Sequence, residues 1–479
     1  MPDISYKPEP PPVDDLNGFP AASTCIRSET VEYVTGQGVG DLGNANRLVM
    51  MHGADLHWAR ERNAWFVWDG TRWVVDKTGE AERRAQATAR SILMEAYSEP
   101  DKAEAKRLSQ LAITSLNRGK LEAMLEIAKS QPGITIPLTQ FDNNPFKLNF
   151  LNGTLDLETG YLHPHNPLDL ISKQIQINYD PYAECPLWLR FLDDIFDHDQ
   201  EMTAYIRRCV GYCLTGDTSE KCLFVGYGTG DNGKTVFNRT IQGTLGEDYA
   251  INARAETILA LDRSGGGATP DLARLRGARF VAVNEIPSHK RLDEARVKEM
   301  TGMDEITARF LFADEITFIP EYKLWISTNH MPQIHDQDNA IWNRLRKIPF
   351  DVTFQKDEQD TKLIYKLKAE WPGIIEWAVK GCLEWQAGGL QTPDKVSKAT
   401  AEYRKDEDVL LPFFEEKCTF GPDAKIGATD LYKTYKTWCE ETEERAASQT
   451  RFGRLLIERG FKKEHAVSGA VYSGIEVKP

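Results

Sequence analysis

The chain has 479 residues, of which 41% are hydrophobic and 27% charged. These ordinary globular proportions exclude a collagen-like, coiled-coil or wholly disordered chain, and the length predicts roughly two to four domains. The net charge of −14 argues against a surface coated for non-specific nucleic-acid binding, although it leaves room for a basic channel inside an oligomer.

Residues 1–43 are rich in Pro, Gly, Asp and Ser without an apolar period, which predicts a flexible tail. Residues 44–140 are predicted to form an accessory domain. In this domain Asp69-Gly70 lies between two aromatic, β-rich runs and indicates a hairpin. Apolar residues at helical spacing from Glu80 to Ser130 predict two or three helices.

Beyond residue 141 the sequence predicts first short strands and then an amphipathic helix over Trp188–Leu214. Apolar strand-like runs at 222–225, 280–283 and 324–327 then alternate with helical stretches. This alternation predicts an α/β domain with a parallel sheet. The predicted divisions are residues 141–215, 216–392 and 400–479.

Two features of the sequence predict a cytosolic protein without membrane association. No apolar run approaches the ~18 residues that a membrane span needs, and the first residues, MPDISYKPEPPP, lack the basic-then-apolar pattern of a secretion signal. The eight cysteines contain no Cys-x-x-Cys pair, and a chain of this size needs no disulfides, so we interpret them as reduced thiols.

The strongest motif is GTGDNGKT at 228–235, which matches the P-loop pattern G-x-x-x-x-G-K-[ST] at every fixed position. A strand precedes it and a helix is predicted to follow, so backbone N–H groups and the positive helix end converge on phosphates. Lys234 is expected to reach the β/γ-phosphates of ATP, and the Thr235 hydroxyl to ligate Mg²⁺. The predicted nucleotide-binding residues are Gly228, Thr229, Gly230, Asp231, Asn232, Gly233, Lys234, Thr235 and Val236.

A second acidic element is needed to hold the metal and polarise water, and the run RFVAVNE at 279–285 supplies one. Glu285 follows four apolar residues and a single Asn. We predict that Glu285 activates the attacking water and contributes to the metal site. Asp271, in a predicted loop, is a weaker substitute.

Four further stretches follow the P-loop in a distinctive order: KEMTGMD at 298–304, ARF at 308–310, KLWISTN at 323–329 and NRLRKIPF at 343–350. Together they resemble the superfamily 3 helicase domain of the AAA+ class, in particular the poxvirus and satellite-phage type of primase-helicase found in phages, plasmids and prophages. The resemblance covers roughly residues 141–479. It implies an α/β AAA+ core with a helical collar before it and a winged-helix-like DNA-binding domain after it.

The resemblance assigns roles to several residues. Asn329 ends the strand that resembles the family's sensor strand, so it is expected to orient water or contact the γ-phosphate. Arg344 aligns with the family's arginine finger, which acts on the nucleotide of the neighbouring subunit; Arg346 is the alternative. The implied catalytic residues are Lys234, Glu285, Asn329 and Arg344.

DNA contacts are implied at two places. The family's pore hairpin corresponds to Thr307–Ile319, whose tip lacks the Lys or His of many relatives, so phosphate contact is expected from Arg309 or Lys298. Phe310 or Phe312 could stack on a base, although core packing is an equally open role. In the last domain, Arg451 and Arg454 are expected on a helix that contacts the DNA backbone.

At the end of the acidic strand, Asn284 stands where many relatives carry a second acid.

The expected function is that of an ATP- and Mg²⁺-dependent replicative DNA helicase from a phage or mobile element. It would act in the bacterial cytoplasm as a hexameric ring on single-stranded or forked DNA, with 3′ to 5′ polarity. The first 140 residues show neither a spaced Asp-x-Asp pair nor a zinc-ribbon cysteine set, so a separate primase or polymerase is the expected partner. Three alternatives stay open: an origin-binding initiator, a small-molecule P-loop kinase and a bifunctional primase-helicase.

Overall fold

The computed structural model describes residues 40–260, 269–309, 315–334, 339–408, 410–442, 444, 446–466 and 469–478. The chain forms two compact units. Unit 1 comprises the chain up to Asn143 together with Asn166–Ser172, and unit 2 comprises Asn144–His165 and the chain from Lys173 onward.

Among the described residues, unit 1 contains a small antiparallel sheet and four helices. Its strands are β1 (Leu56–Ala59), β2 (Ala64–Trp68) and β3 (Trp73–Val75), and its helices are α1 (Gly40–His52), α2 (Glu80–Ser98), α3 (Lys102–Ser115) and α4 (Arg118–Ala128). The predicted hairpin is confirmed, because Trp68 pairs with Trp73 across Asp69-Gly70. The helices predicted after Glu80 are also confirmed.

The predicted tail is too long by four residues. Helix α1 begins at Gly40, because the buried side chains of Ala45 and Leu48 hold this helix in the unit 1 core. The remainder of the predicted tail lies outside the described residues.

Residues 166–172 return to unit 1 after an excursion of the chain into unit 2. The indole of Trp73 donates to the Pro167 carbonyl at 2.9 Å, and its backbone N–H donates to Ile171 at 2.8 Å. The Ser172 N–H donates to the Asp142 carboxylate at 2.8 Å. This segment, placed by the sequence in the 141–215 division, is therefore part of the unit 1 core.

In the part of unit 2 that precedes its C-terminal part, the described residues form three sheets. Its strands there are β4 (Lys147–Phe150), β5 (Gly153–Asp156), β6 (Leu162–His163), β7 (Leu223–Tyr227), β8 (Ala250–Ala253), β9 (Phe280–Asn284), β10 (Ile306–Arg309), β11 (Glu315–Phe318), β12 (Lys323–Thr328) and β13 (Leu345–Pro349). Its helices there are α5 (Pro186–Ile195), α6 (Gln200–Leu214), α7 (Lys234–Tyr249), α8 (Pro270–Ala273), α9 (Glu294–Met300), α10 (Asn339–Trp342), α11 (Leu363–Lys368), α12 (Trp371–Gly388) and α13 (Asp394–Asp406).

The single helix predicted over Trp188–Leu214 is wrong. The chain breaks between α5 and α6 because Asp197 and His198 have positive φ angles of 54° and 60°. The Asp199 carboxylate then caps α6 by accepting from the Met202 N–H at 3.0 Å.

The predicted parallel α/β core is confirmed. A five-stranded parallel sheet has the order β13-β7-β12-β9-β8. Thr328 pairs with Tyr227, and Ser327 pairs with Asn284, so β7, β12 and β9 end at the same edge. In an open parallel sheet this edge is where ligands bind.

The C-terminal part of unit 2, residues 410–478, is called here the C-terminal module. It contains α14 (Leu411–Lys417), β14 (Cys418–Gly427), α15 (Ala428–Glu441), α16 (Gln449–Glu458), β15 (Lys462–Ala466) and β16 (Gly469–Val477). The strands form an antiparallel sheet in the order β14-β16-β15. The helix expected to carry Arg451 and Arg454 is present as α16.

The described residues also test the predictions about membrane spans and cysteines. Within these residues, no helix is both long and apolar enough to cross a lipid bilayer. Seven of the eight cysteines are described, and each is a buried free thiol, in agreement with the predicted reduced state.

Candidate active site

The loop between β7 and α7 is shaped by glycines. A Cβ at Gly228 would lie 2.0 Å from the Asn232 amide nitrogen and 2.5 Å from the Phe350 carbonyl oxygen. Gly233 has a φ of 81°, and a Cβ there would lie 2.6 Å from Ile195. The loop therefore needs glycine at both fixed positions of the motif. Because α7 begins directly afterwards, its free N–H groups and positive end lie beside the loop.

Lys234 is the first residue of α7, and its side chain folds back onto the loop. The ammonium donates to the Gly228 carbonyl and to the Asn232 side-chain oxygen, each at 2.8 Å. Lys234 is only 6% exposed, and this burial lowers the pKa of its ammonium to about 8. Both acceptors are neutral, so a phosphate would stabilise the charged form that burial disfavours.

The predicted site residues from three chain segments meet in one cavity of about 910 Å³. Lys234 and Thr235 come from the start of α7, whereas Glu285 and Asn329 directly follow β9 and β12. Gly230, Asp231, Asn232, Gly233 and Val236 also line the cavity. Gly228 and Thr229 are absent from its described lining, and Gly228 acts through the close packing of the loop.

Glu285 adopts an unusual backbone conformation at the edge of the cavity. Its φ of 57° lies in the left-handed region, which is uncommon for a residue other than glycine. Its N–H donates to the Ser327 carbonyl at 3.0 Å, so β9 and β12 remain tied at this point. Strain of this kind is often found at functional sites, and nothing in the sequence signalled it.

A polar bridge that the sequence reasoning missed lies within the same cavity. The Asn238 amide donates to the Ser327 hydroxyl at 2.8 Å and to the Asn284 side-chain oxygen at 3.3 Å. The Asn238 side-chain oxygen is buried and has no hydrogen-bond partner among the described residues. The helical spacing of Lys234 and Asn238, four residues apart, was the one available signal, since such residues share a face.

The charges around the cavity suit a nucleotide that carries a divalent cation. The described lining has five carboxylates and three basic side chains: Asp194, Asp231, Glu285, Glu358 and Asp360 against Arg190, Lys234 and Arg239. An excess of carboxylates disfavours a bare triphosphate. Oxygens of Thr235 and Glu285 are the hard ligands that Mg²⁺ prefers. No described group of three or more His, Cys, Asp or Glu side chains could hold a metal alone, so phosphate and water oxygens would complete its coordination.

Another part of the lining is apolar and suits a nucleoside base. It is formed by Leu187, Phe191, Phe354, Leu363 and Ile364. The Phe354 N–H donates to the Asp231 carbonyl at 2.9 Å, which joins this apolar surface to the glycine-rich loop. The cavity thus combines a polar, phosphate-compatible part with an apolar part.

Both candidate arginine fingers lie outside the described lining of this cavity. The Arg344 guanidinium donates to the Thr301 hydroxyl at 3.1 Å and to the Ala340 carbonyl at 2.7 Å. The Arg346 guanidinium donates to the Asn343 carbonyl at 2.6 Å. Arg344 is therefore not brought to this cavity of its own chain.

The predicted DNA-contacting residues lie on three elements. Lys298 is half-buried on α9, and Arg309 is exposed at the end of β10, opposite Glu315 of β11. Phe310 and Phe312 lie outside the described residues. Arg451 and Arg454 are both exposed on α16 and three residues apart, so they share one face of this helix.

Comparisons with known proteins give family matches to two parts of the chain. Residues 45–197 match the family model described as D5 N terminal like, and residues 226–345 match a family of unknown function, DUF5906. "Putative helicase L207/L206" of Acanthamoeba polyphaga mimivirus is 30% identical over 70% of this chain and 36% of its own length. "Putative helicase 022R" of frog virus 3 is 30% identical over 52% of this chain and 27% of its own length.

The chain thus spans about a third of the length of these curated relatives. The apo structure of the NrS-1 C-terminal region aligns with 91% of this chain and 98% of its own, at 11% identity and a TM-score of 0.47. The chain is therefore similar to viral proteins named as putative helicases and, over residues 45–197, to the D5 N terminal like family.

Proposed function

We propose that this chain is the ATP-driven motor of a ring-forming replicative DNA helicase of superfamily 3, in the AAA+ class. One observation carries the proposal: Lys234, Thr235, Glu285 and Asn329 line a single cavity at the end of a parallel sheet. The relation to viral proteins named as helicases supports it. A hexameric ring, 3′ to 5′ polarity, a phage or mobile-element origin and a bacterial cytoplasm belong to the same proposal.

In this proposal each side chain has a distinct task. Lys234 neutralises charge on the β/γ-phosphates, and Asn329 orients the attacking water. Glu285 accepts a proton from that water, because it is the carboxylate that directly follows β9. Thr235 and Glu285 would hold Mg²⁺, which when bound supplies positive charge to the phosphate oxygens.

The DNA-binding part of the proposal rests on basic residues distant in sequence from the P-loop. Arg309 and Lys298 are the candidates for contact with single-stranded DNA in the ring, and Arg451 and Arg454 for contact by the C-terminal module. A separate primase or polymerase is the proposed partner.

The basic test is ATP hydrolysis with and without single-stranded DNA, combined with strand displacement on forked and blunt duplexes. We expect DNA to stimulate hydrolysis and forked substrates to be unwound. Stimulation without unwinding would favour an origin-binding initiator. Hydrolysis indifferent to DNA would favour a small-molecule kinase, and incorporation of ribonucleotides on a single-stranded template would favour a primase-helicase.

Arg344 provides the prediction that separates a ring from a monomeric ATPase. Arg344→Ala and Lys234→Ala subunits should each be inactive, since loss of an arginine finger typically costs about 10³ to 10⁵ in rate. When mixed, they should recover part of the ATPase activity, because some interfaces combine an intact P-loop with an intact finger from the neighbour. Turnover is measured across mixing ratios after subunit exchange.

A doubly substituted chain provides the matched control for this mixture. Lys234→Ala/Arg344→Ala subunits mixed with Arg344→Ala subunits contain no finger at any interface, so their rate is the true background. If proven mixed rings of the single variants stay at this background, Arg344 does not act in trans. The same series with Arg346 would then follow.

A further inference from the structure

The loop that follows Asn329, residues 330–334, is held from two sides. On one side it pairs with the segment after β9: the Gln333 N–H donates to the Lys290 carbonyl at 2.8 Å, and the Leu292 N–H donates to the Gln333 carbonyl at 2.9 Å. On the other side, the Tyr403 hydroxyl donates to the Pro332 carbonyl. The Ile334 N–H donates to the Glu407 carboxylate at 3.0 Å. The position of Asn329 therefore depends on α13 and the residue just after it.

Helix α13 also contacts the segment that carries Arg344. The buried Tyr403 ring packs edge-on against Trp342, with centroids 5.3 Å apart. The Arg404 guanidinium donates to the Asn339 side chain at 2.9 Å. Further along, the Thr400 hydroxyl accepts from the backbone N–H of Lys347 at 3.0 Å. A shift of α13 would thus displace both the Asn329 loop and the segment that carries Arg344.

The next residue, Asp408, connects the same point to the C-terminal module. Its carboxylate forms an ion pair with Arg459, which directly follows α16, and both side chains are less than 20% exposed. The Arg459 guanidinium lies 5.8 Å from the Phe414 ring centroid and donates to the Leu455 carbonyl at 3.0 Å. Consecutive residues therefore contact the Asn329 loop and the end of the helix that carries Arg451 and Arg454.

We propose that Glu407 and Asp408 couple DNA binding by the C-terminal module to ATP turnover, with Glu407 positioning the Asn329 loop and Asp408 linking α13 to Arg459. Both are positioning residues, since they act through other groups. The inference rests on the proposed function and deepens it by assigning a route between the two sites. A bound DNA that shifts α16 would move Arg459, and the partly buried ion pair would carry this shift to α13.

The measured quantity is the ratio of ATPase rates with saturating single-stranded oligothymidylate and without it, for the full chain. This ratio does not depend on the fraction of correctly folded protein, so a purely structural defect leaves it unchanged. Coupling free energies between sites typically correspond to about 5- to 150-fold. We therefore expect Asp408→Arg to reduce the DNA stimulation at least about fivefold while retaining basal hydrolysis.

Reversal of the pair is the rescue experiment. The double variant Asp408→Arg/Arg459→Asp should restore stimulation, because it rebuilds an ion pair of opposite direction. For Glu407, the alanine variant should lose stimulation, whereas Glu407→Gln should retain most of it, because glutamine keeps an oxygen that can accept from Ile334. DNA binding is measured in parallel by fluorescence anisotropy, so that each rate refers to saturated protein.

Lys405→Glu is the matched control. Lys405 lies on the same helix and forms a 3.9 Å ion pair with Glu415 of the C-terminal module, but both side chains are more than 60% exposed. An exposed pair contributes little, so reversal of this charge should leave the stimulation ratio intact.

Two outcomes would count against different claims. Full DNA stimulation of the ATPase in Asp408→Arg and Glu407→Ala would overturn the coupling route. The route would also be overturned if Asp408→Arg loses stimulation and the double variant Asp408→Arg/Arg459→Asp binds DNA but does not regain it. A wild-type chain without DNA-stimulated ATPase activity would instead refute the proposed function on which the route rests.

Discussion

Replacement of Lys234 with alanine is expected to abolish ATP hydrolysis without unfolding the protein. The substitution removes the ammonium that we propose faces the β/γ-phosphates. Removal of one preorganised electrostatic group at a reacting centre typically costs about 10² to 10³ in rate. The loop keeps two other hydrogen bonds. The Asn232 side-chain amide donates to the Phe350 carbonyl at 3.3 Å, and the Phe354 N–H donates to the Asp231 carbonyl. Steady-state turnover and thermal unfolding are measured on the same preparation.

Lys380→Ala is the corresponding control, because this lysine is 61% exposed on α12 and paired with Glu376. It should hydrolyse ATP at the wild-type rate. Near-normal turnover in Lys234→Ala would contradict the assignment of residues 228–235 as a phosphate-binding loop. A lowered unfolding temperature would show instead that the two hydrogen bonds of the ammonium are needed for the fold.

The second large effect is expected for Glu285→Gln, which should bind ATP but leave it unhydrolysed. Glutamine keeps the size of the side chain and removes only the charge that polarises water. Loss of a general base typically costs about 10² to 10⁴ in rate. Binding of a fluorescent ATP analogue and single-turnover hydrolysis measure the two steps separately.

Glu299→Gln makes the same chemical change at an exposed position on α9 and should leave turnover unchanged. If Glu285→Gln loses nucleotide binding together with hydrolysis, then Glu285 chiefly holds the metal or the local fold. A role in the local fold has structural support, because Glu285 has a left-handed backbone conformation and its N–H links β9 to β12 through the Ser327 carbonyl.

The sequence predicted those parts of the site that depend on local patterns. Three short apolar runs that alternate with helical stretches indicated a parallel sheet, and Glu285 was found as the acid that follows one of these runs. Asn329 was assigned from the resemblance of its strand to the sensor strand of superfamily 3 helicases. The P-loop needed only its own eight residues. Because the strands end at the same edge of the sheet, these residues line one cavity.

The features that could not be predicted depend mostly on contacts between residues that are distant in sequence. The Asn238 bridge requires that β9 lie beside β12, an order that differs from the order along the chain. The left-handed conformation of Glu285 is one that its residue type does not favour. The break at Asp197 and His198 uses residue types that tolerate a positive φ but do not require it. The contacts of Glu407 and Asp408 join segments more than 50 residues apart in sequence, so no local pattern reports them.

The path of the chain between the two units limits how the protein can be divided into fragments. The polypeptide passes from one unit to the other at residues 143/144, 165/166 and 172/173, so no single cut separates them. A fragment that ends at Asn143 would lack the Pro167 and Ile171 carbonyls that receive the two N–H groups of Trp73. Proteolysis within 144–165 would likewise leave a nicked but non-covalently associated molecule. A self-sufficient unit 1 would need residues 166–172 joined to it by a new connection.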